Sequence, residues 1–287
     1  MKLANLDGRA TVVTGSGGID VAEASGGRFG PDVQALFASW PAFVATAAGF
    51  DRRRAVPLDP AHLGPPVPRP AQVFAIGLNY RAHAAESGRP VPAVPATFTK
   101  FPAAVNGPFG DVEVPTDTTD WEVELVAVIG ARADRVAEAD GWAHVAGLAV
   151  GQDISERTLQ SAAGGQFCLG KSYRGFAPIG PWLVTPDELD DPDRLALGCR
   201  LDGEVVQEGS TADMVFTVPR LVAELSAVVP LLPGDLLFTG TPAGVGIGRH
   251  PPRFLRPGQV LESWVEGVGT IRNRMVAPPH PSPPGGR

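Results

Sequence analysis

The chain has 287 residues, 44% of them hydrophobic, enough for a substantial core and for a main domain with a smaller appendage. Its formal charge of -7, with no lysine or arginine stripe to neutralise phosphates, excludes non-specific nucleic-acid binding. Cys168 and Cys199 stand outside any metal-ligand spacing, which excludes a disulfide framework and a thiolate zinc site; without a charged-then-apolar leader or an apolar run of membrane length, a cytoplasmic protein with no membrane partner is expected.

In chain order, alternating stretches over 10–14 and 19–21, separated by Gly15-Ser16-Gly17-Gly18, predict a hairpin. These glycines do not open a dinucleotide-binding turn, because Gly26-Gly27 cuts the following helix short and no apolar strand ending in an acidic residue follows. Val33, Leu36, Phe37, Trp40, Phe43 and Val44 recur at helical spacing and predict a helix over 31–48. Six prolines between Pro57 and Pro70 predict a linker. The chain then divides into a small N-terminal domain over 1–56, the linker over 57–70, a main domain over 71–277 and a disordered tail over 278–287.

From Gln72 onward apolar strands alternate with glycine turns, at 73–76, 125–129, 147–150, 236–238 and 260–261. Pro-Gly turns at 232–235 and 256–259 lead into two of these strands, and a helix over 217–229 is entered at Pro219. The expected class is therefore α+β and β-rich, with a few helices covering the sheet.

Five segments carry candidate chemistry. In Asp120-Trp121-Glu122-Val123-Glu124-Leu125, the two glutamates lie two apart on an expected strand and share a face, where their repulsion is relieved by a cation. A solvated strand face is the plain reading of the same pattern. In Gly151-Gln152-Asp153-Ile154-Ser155-Glu156-Arg157, Asp153 sits at a strand exit, either as a helix cap or as a functional carboxylate. Arg157 and Gln160, three apart, would share a helix face. If a short helix starts near Tyr80, His83 and Glu86 become neighbours, as an exposed ion pair or as a carboxylate-supported base for water. Finally, Gly170 allows close backbone approach beside Lys171, and Thr241 follows a tight turn where a hydroxyl can meet a ligand carboxylate. Gly244-Val245-Gly246-Ile247-Gly248 lacks the Lys-Ser/Thr ending of a phosphate loop and reads as a flexible turn.

In this order, the segments resemble the fumarylacetoacetate hydrolase family along nearly the whole chain, including its acylpyruvate hydrolases and 2-hydroxyhepta-2,4-diene-1,7-dioate isomerases. The likeness rests on Asn79-Tyr80-Arg81-Ala82-His83-Ala84-Ala85-Glu86, Glu122-Val123-Glu124, Gly151-Gln152-Asp153-Ile154-Ser155, Gly170-Lys171-Ser172, Pro178-Ile179-Gly180-Pro181 and the stretch 238–246. The resemblance implies a rolled mixed β-sheet catalytic domain, a small N-terminal domain and a homodimer. It implies Mg²⁺ or Mn²⁺ on Glu122, Glu124 and Asp153, with Ca²⁺ able to stand in, and His83, Glu86 and Lys171 as catalytic groups. Tyr80, Arg157, Gln160 and Thr241 would face a small 2-oxo acid substrate. Three carboxylates without thiolate or paired imidazole also favour a hard, oxygen-seeking cation.

The expected reaction is hydrolysis of a C–C bond in an acylpyruvate-type 2,4-dioxo acid through a metal-bound enolate. The other readings are isomerisation, hydration or decarboxylation by the same enolate, or a non-catalytic metal- or ligand-binding protein on this scaffold. Where many members carry an aspartate after the Gly-Lys-Ser segment, this chain has Tyr173-Arg174-Gly175, and Arg174 is a candidate for a second substrate carboxylate.

Overall fold

The computed structural model describes residues 1–15, 17–162 and 164–279. Ser16 of the hairpin turn and the tail from His280 onward, expected to be disordered, lie outside the described residues. The strands are β1 (Lys2–Leu6), β2 (Arg9–Thr14), β3 (Gly17–Asp20), β4 (Leu63–Gly64), β5 (Val73–Gly77), β6 (Ala96–Thr99), β7 (Val105–Asn106), β8 (Val112–Glu113) and β9 (Thr119–Asp120). They continue as β10 (Val123–Ile129), β11 (Val145–Gln152), β12 (Ser155–Glu156), β13 (Ala177–Val184), β14 (Ala196–Leu201), β15 (Glu204–Ser210), β16 (Leu236–Phe238), β17 (Val260–Val265) and β18 (Gly269–Val276). The α-helices are α1 (Val21–Ala24), α2 (Trp40–Ala47), α3 (Arg81–Glu86), α4 (Arg157–Ala162) and α5 (Val218–Ser226).

Eleven strands form a mixed sheet in the order β3-β2-β1-β13-β11-β10-β16-β5-β6, with β4 paired to β1 and β7 to β13. A second sheet runs β15-β14-β17-β18-β8. Strands β10 and β11 are buried at every position, which explains their near-continuous apolar sequence: both faces of the sheet are covered. Side chains of β10 alternate between two cores. Val126 and Val128 pack with Val33, Phe37 and Trp40, whereas Leu125, Ala127 and Ile129 pack with Leu221, Val222 and Leu225 of α5. That helix starts where the sequence places it, with Thr217 accepting from the Arg220 N–H and Pro219 in the first turn.

Three local expectations change. The 31–48 helix is two pieces, a 3₁₀ segment Val33–Ser39 and then α2, because Pro41 offers no N–H to continue one ladder and instead occupies the first turn of a new helix. Five of its six apolar markers are nonetheless buried, Val44 being half-buried. The proline-rich 57–70 stretch is packed rather than free: β4 pairs with β1, and Val67 lies in the core. The 1–56 segment also shares the main sheet, since β1 hydrogen-bonds along β13, with Lys2 opposite Val184.

Candidate active site

Strand register brings the acidic residues together. Val123 pairs with Gln152 in the β10–β11 ladder, so the next residues out, Glu122 and Asp153, meet at its end, and the Asp153 N–H donates to the Glu122 carbonyl at 2.9 Å. The short β9–β12 pair, with Asp120 opposite Ser155, holds the same two segments one step further on. Gln152 locks the corner: its Oε1 accepts from Glu122 N at 2.8 Å while its Nε2 donates to Ser263 Oγ of β17 at 2.9 Å. Carboxylate oxygens of Glu122, Glu124 and Asp153 all lie within 4.8 Å of one another, and all three residues are buried.

Burial of like charges must be compensated. The Lys171 ammonium donates to Glu122 Oε2 at 2.8 Å and to Asp153 Oδ2 at 2.7 Å. Arg157 Nη1 donates to Glu122 Oε1 at 2.6 Å and to Gln160 Oε1 at 3.0 Å, the helix-face neighbours expected from their spacing. Burial alone would raise the Glu122 carboxyl, but the Lys171 and Arg157 charges overcome it and hold the group at about 2. Glu124 is the opposite case. Burial and then the charges of Asp153 and Glu122 push its carboxyl well above the usual range, against Lys171 and the Gly240 N–H, which donates to Oε2 at 2.7 Å. Gly240 makes that approach at φ +97°, where a Cβ would sit 2.7 Å from Asn79 Cβ. A cluster of three carboxylates in which Glu124 still resists ionisation, offering only oxygen donors, fits a hard divalent cation.

The pocket beside this cluster has a volume of about 330 Å³ and is lined by His83, Glu86, Glu122, Arg157, Gln160, Lys171 and Thr241 among others. The expected short helix is α3, with Tyr80 at its N-cap, and His83 Nδ1 lies 3.2 Å from Glu86 Oε2. Thr241 is fixed from both sides, donating to the Val123 carbonyl and accepting from Gln207 Nε2, each at 2.8 Å. Gly170 is required sterically: a Cβ there would lie 2.5 Å from the Gln160 nitrogen and 2.8 Å from the Glu156 carbonyl, so α4 and the Lys171 segment could not close.

Several assignments move. Tyr80 does not line the pocket; it is 1% exposed within the second core, its hydroxyl has no hydrogen-bond partner among the described residues, and burial followed by the Glu124 charge raises its phenol well above the usual range. Asp153 caps no helix: Glu156 accepts from the Thr158 and Leu159 N–H groups of α4 instead. Arg174 lies in a separate depression with Asn106 and Asp111, whereas Arg89, unlike the buried Arg157 and Lys171 of the same pocket, is exposed, as is His250 beside it. Gly244–Gly248 is not loose, its backbone being bonded to Trp121, Asp120 and Glu86.

Sequence reasoning also missed Lys100. Fully buried, its ammonium donates to Asp153 Oδ1 at 2.6 Å, to the Ile154 carbonyl at 3.4 Å and to the Lys171 carbonyl. Nothing local marks it, because its partners lie 53 or more positions away.

A model described as the fumarylacetoacetate (FAA) hydrolase C-terminal family matches residues 72–276, and the chain belongs to that family. It is an enzyme family whose sheet-rich α+β fold this chain shares. An HpcE-type protein of Mycobacterium smegmatis, known from a crystal structure, is 50% identical with a TM-score of 0.91, covering 96% of this chain and 99% of its own. The mitochondrial oxaloacetate tautomerase FAHD2A of Bos taurus is 44% identical over 214 residues, 74% of this chain and 68% of that protein. The maleylpyruvate hydrolase of Sphingobium sp. SYK-6, solved with manganese(II) and pyruvate, is 29% identical with a TM-score of 0.76, covering 96% and 99%.

Proposed function

We propose that this chain is a divalent-metal-dependent hydrolase that cleaves the C3–C4 bond of an acylpyruvate-type 2,4-dioxo acid, yielding pyruvate and a carboxylic acid. The observation carrying the reading is that His83, supported by Glu86, and Lys171 line one pocket with Glu122, whose carboxylate belongs to the buried triad. Glu122, Glu124 and Asp153 would hold Mg²⁺ or Mn²⁺, as the manganese-bound relative makes reasonable. Such an ion would supply Lewis-acid stabilisation of the negative charge that develops on a 2-oxo acid.

Glu86 accepts the Nδ1 proton of His83, leaving Nε2 to take a proton from water, which adds to carbon four. Lys171 donates to the oxygen that gains charge there, while Arg157 and Gln160 orient the acid. The C3–C4 bond then breaks, its electron pair passes to carbon three, and a proton returned to that carbon completes pyruvate. Arg89 has no carboxylate partner among the described residues and, with His250 beside it, suits a second substrate carboxylate.

A panel of 2-oxo acids with Mg²⁺ or Mn²⁺, followed by pyruvate formation, tests this reading. Turnover of fumarylpyruvate above acetylpyruvate, with the preference lost in Arg89→Ala and kept in Arg174→Ala, is expected; no pyruvate from any 2,4-dioxo acid removes the hydrolase. The bovine relative favours a second reading, enol–keto tautomerisation of oxaloacetate, in which the same groups only relocate a proton. Loss of enol absorbance without pyruvate would select it. Assembly as a homodimer belongs to the same proposal, and light scattering at the monomer mass would remove it.

A further inference from the structure

We propose that Asp120 and Trp121 form a clasp that holds the 244–248 loop and, through it, the His83–Glu86 pair against the metal-binding carboxylates, so that Asp120 is a positioning residue for the reaction. The inference rests on the reading of His83 and Glu86 as the water-activating pair.

Asp120 is fully buried, belongs to neither the carboxylate triad nor the pocket lining, and so acts through other groups. Its Oδ1 accepts from Gly246 N at 2.7 Å and its Oδ2 from Ile247 N at 3.0 Å, while the Trp121 indole Nε1 donates to the Gly244 carbonyl at 3.1 Å. These two side chains, directly preceding Glu122, therefore bond the loop at three points, Gly244, Gly246 and Ile247. The opposite side of the loop meets α3: Gly244 N donates to Glu86 Oε1 at 3.0 Å, and a Cβ on Gly248 would lie 2.7 Å from the Glu86 carboxyl carbon. Gly246 has less room still, since a Cβ there would lie 1.9 Å from the Arg253 carbonyl oxygen and 2.5 Å from Asp120 Oδ1. The loop is thus a thin backbone layer gripped between Asp120 and Glu86, and glycines are needed at both contacts. A simple buried ion pair with Arg157, whose Nε and Nη2 lie 2.8 and 2.7 Å from Oδ2, would not require the two backbone bonds as well. One carboxylate consequently fixes the substrate-side arginine and the loop that seats the dyad in a single register.

Hydrogen exchange of the wild type, Asp120→Asn and Trp121→Phe, read on peptides spanning 81–87 and 244–250, tests the clasp without reference to activity. Both peptides are expected to exchange at least tenfold faster in Asp120→Asn and by a smaller factor in Trp121→Phe, with the 145–152 peptide unchanged. Faster exchange in the loop with wild-type protection in 81–87 would overturn the proposal. If Asp120→Asn does not fold, Trp121→Phe decides alone by the same comparison. In the pyruvate assay, Asp120→Asn is expected to lower kcat at least tenfold, yet less than threefold in a Glu86→Gln background; full additivity overturns the coupling. Absence of turnover by the wild type would count against the proposed hydrolase, whereas the exchange result stands by itself.

Discussion

Lys100 Nζ lies 2.6 Å from Asp153 Oδ1, and neither side chain reaches solvent, so one of the expected metal ligands is held from beneath by a dry cation. Burial pulls the Lys100 ammonium down, and the Asp153 charge opposes that pull. Replacing Lys100 with methionine leaves Asp153 with less compensation, a loss of about 3 kcal/mol for a broken buried pair. It also unfixes the ligand, which weakens metal binding by roughly 10- to 100-fold. Urea denaturation and Mn²⁺ titration check both effects, and unchanged Mn²⁺ affinity would reduce Lys100 to a structural residue.

Metal retention and water activation should separate by mutation. Glu122→Gln removes a triad carboxylate and is expected to abolish both Mn²⁺ binding and turnover. His83→Ala should keep the metal while turnover falls by about 10²- to 10⁴-fold, the usual contribution of a positioned base. An intact rate in His83→Ala with every 2-oxo acid tried would remove the dyad.

Glu122 and Glu124 make the metal-free protein lose stability in opposite directions of pH. Glu122, held at about 2, contributes stability that is present above the unfolded carboxyl value of about 4 and is lost as pH falls toward 2. Glu124, raised when folded, contributes most below about pH 4 and loses that contribution as pH rises, because the folded state binds its proton more tightly. A divalent cation displaces that proton. The rise in Tm on adding Mn²⁺ is therefore expected to grow as pH rises above the unfolded carboxyl value of about 4; a flat or falling increment in scanning calorimetry would contradict the assignment.

Gly170→Ala tests the α4 contact. Its Cβ would press on the backbone of Gln160 and Glu156, which cannot rotate aside, and overpacking of this kind costs about 1–3 kcal/mol. A lower Tm with Lys171 displaced in a crystal structure is expected, and a wild-type Tm would show that the segment can move freely.

Much of the site was legible because local spacing carried it. Glu122 and Glu124 share a face by strand alternation, His83 and Glu86 meet by helix spacing, and so do Arg157 and Gln160. The strands β10, β11 and β16 declared themselves as apolar runs of suitable length. Lys100, Arg89 and the role of Asp120 did not, since each depends on tertiary neighbours rather than on adjacent residues. Tyr80 failed for a related reason: its place beside His83 in the motif says nothing about which side of the helix start its ring enters, and it enters the core. The glycines of 244–248 suggested freedom, whereas the absence of side chains there permits close backbone contact.

Because β1 lies along β13, the first residues of the chain cover an edge that the 72–276 region would otherwise present to solvent. A fragment trimmed to that region would carry unpaired N–H and C=O groups beside an apolar strand, a template for adhesion between copies. Shortened versions of this enzyme should therefore precipitate before they lose their catalytic groups.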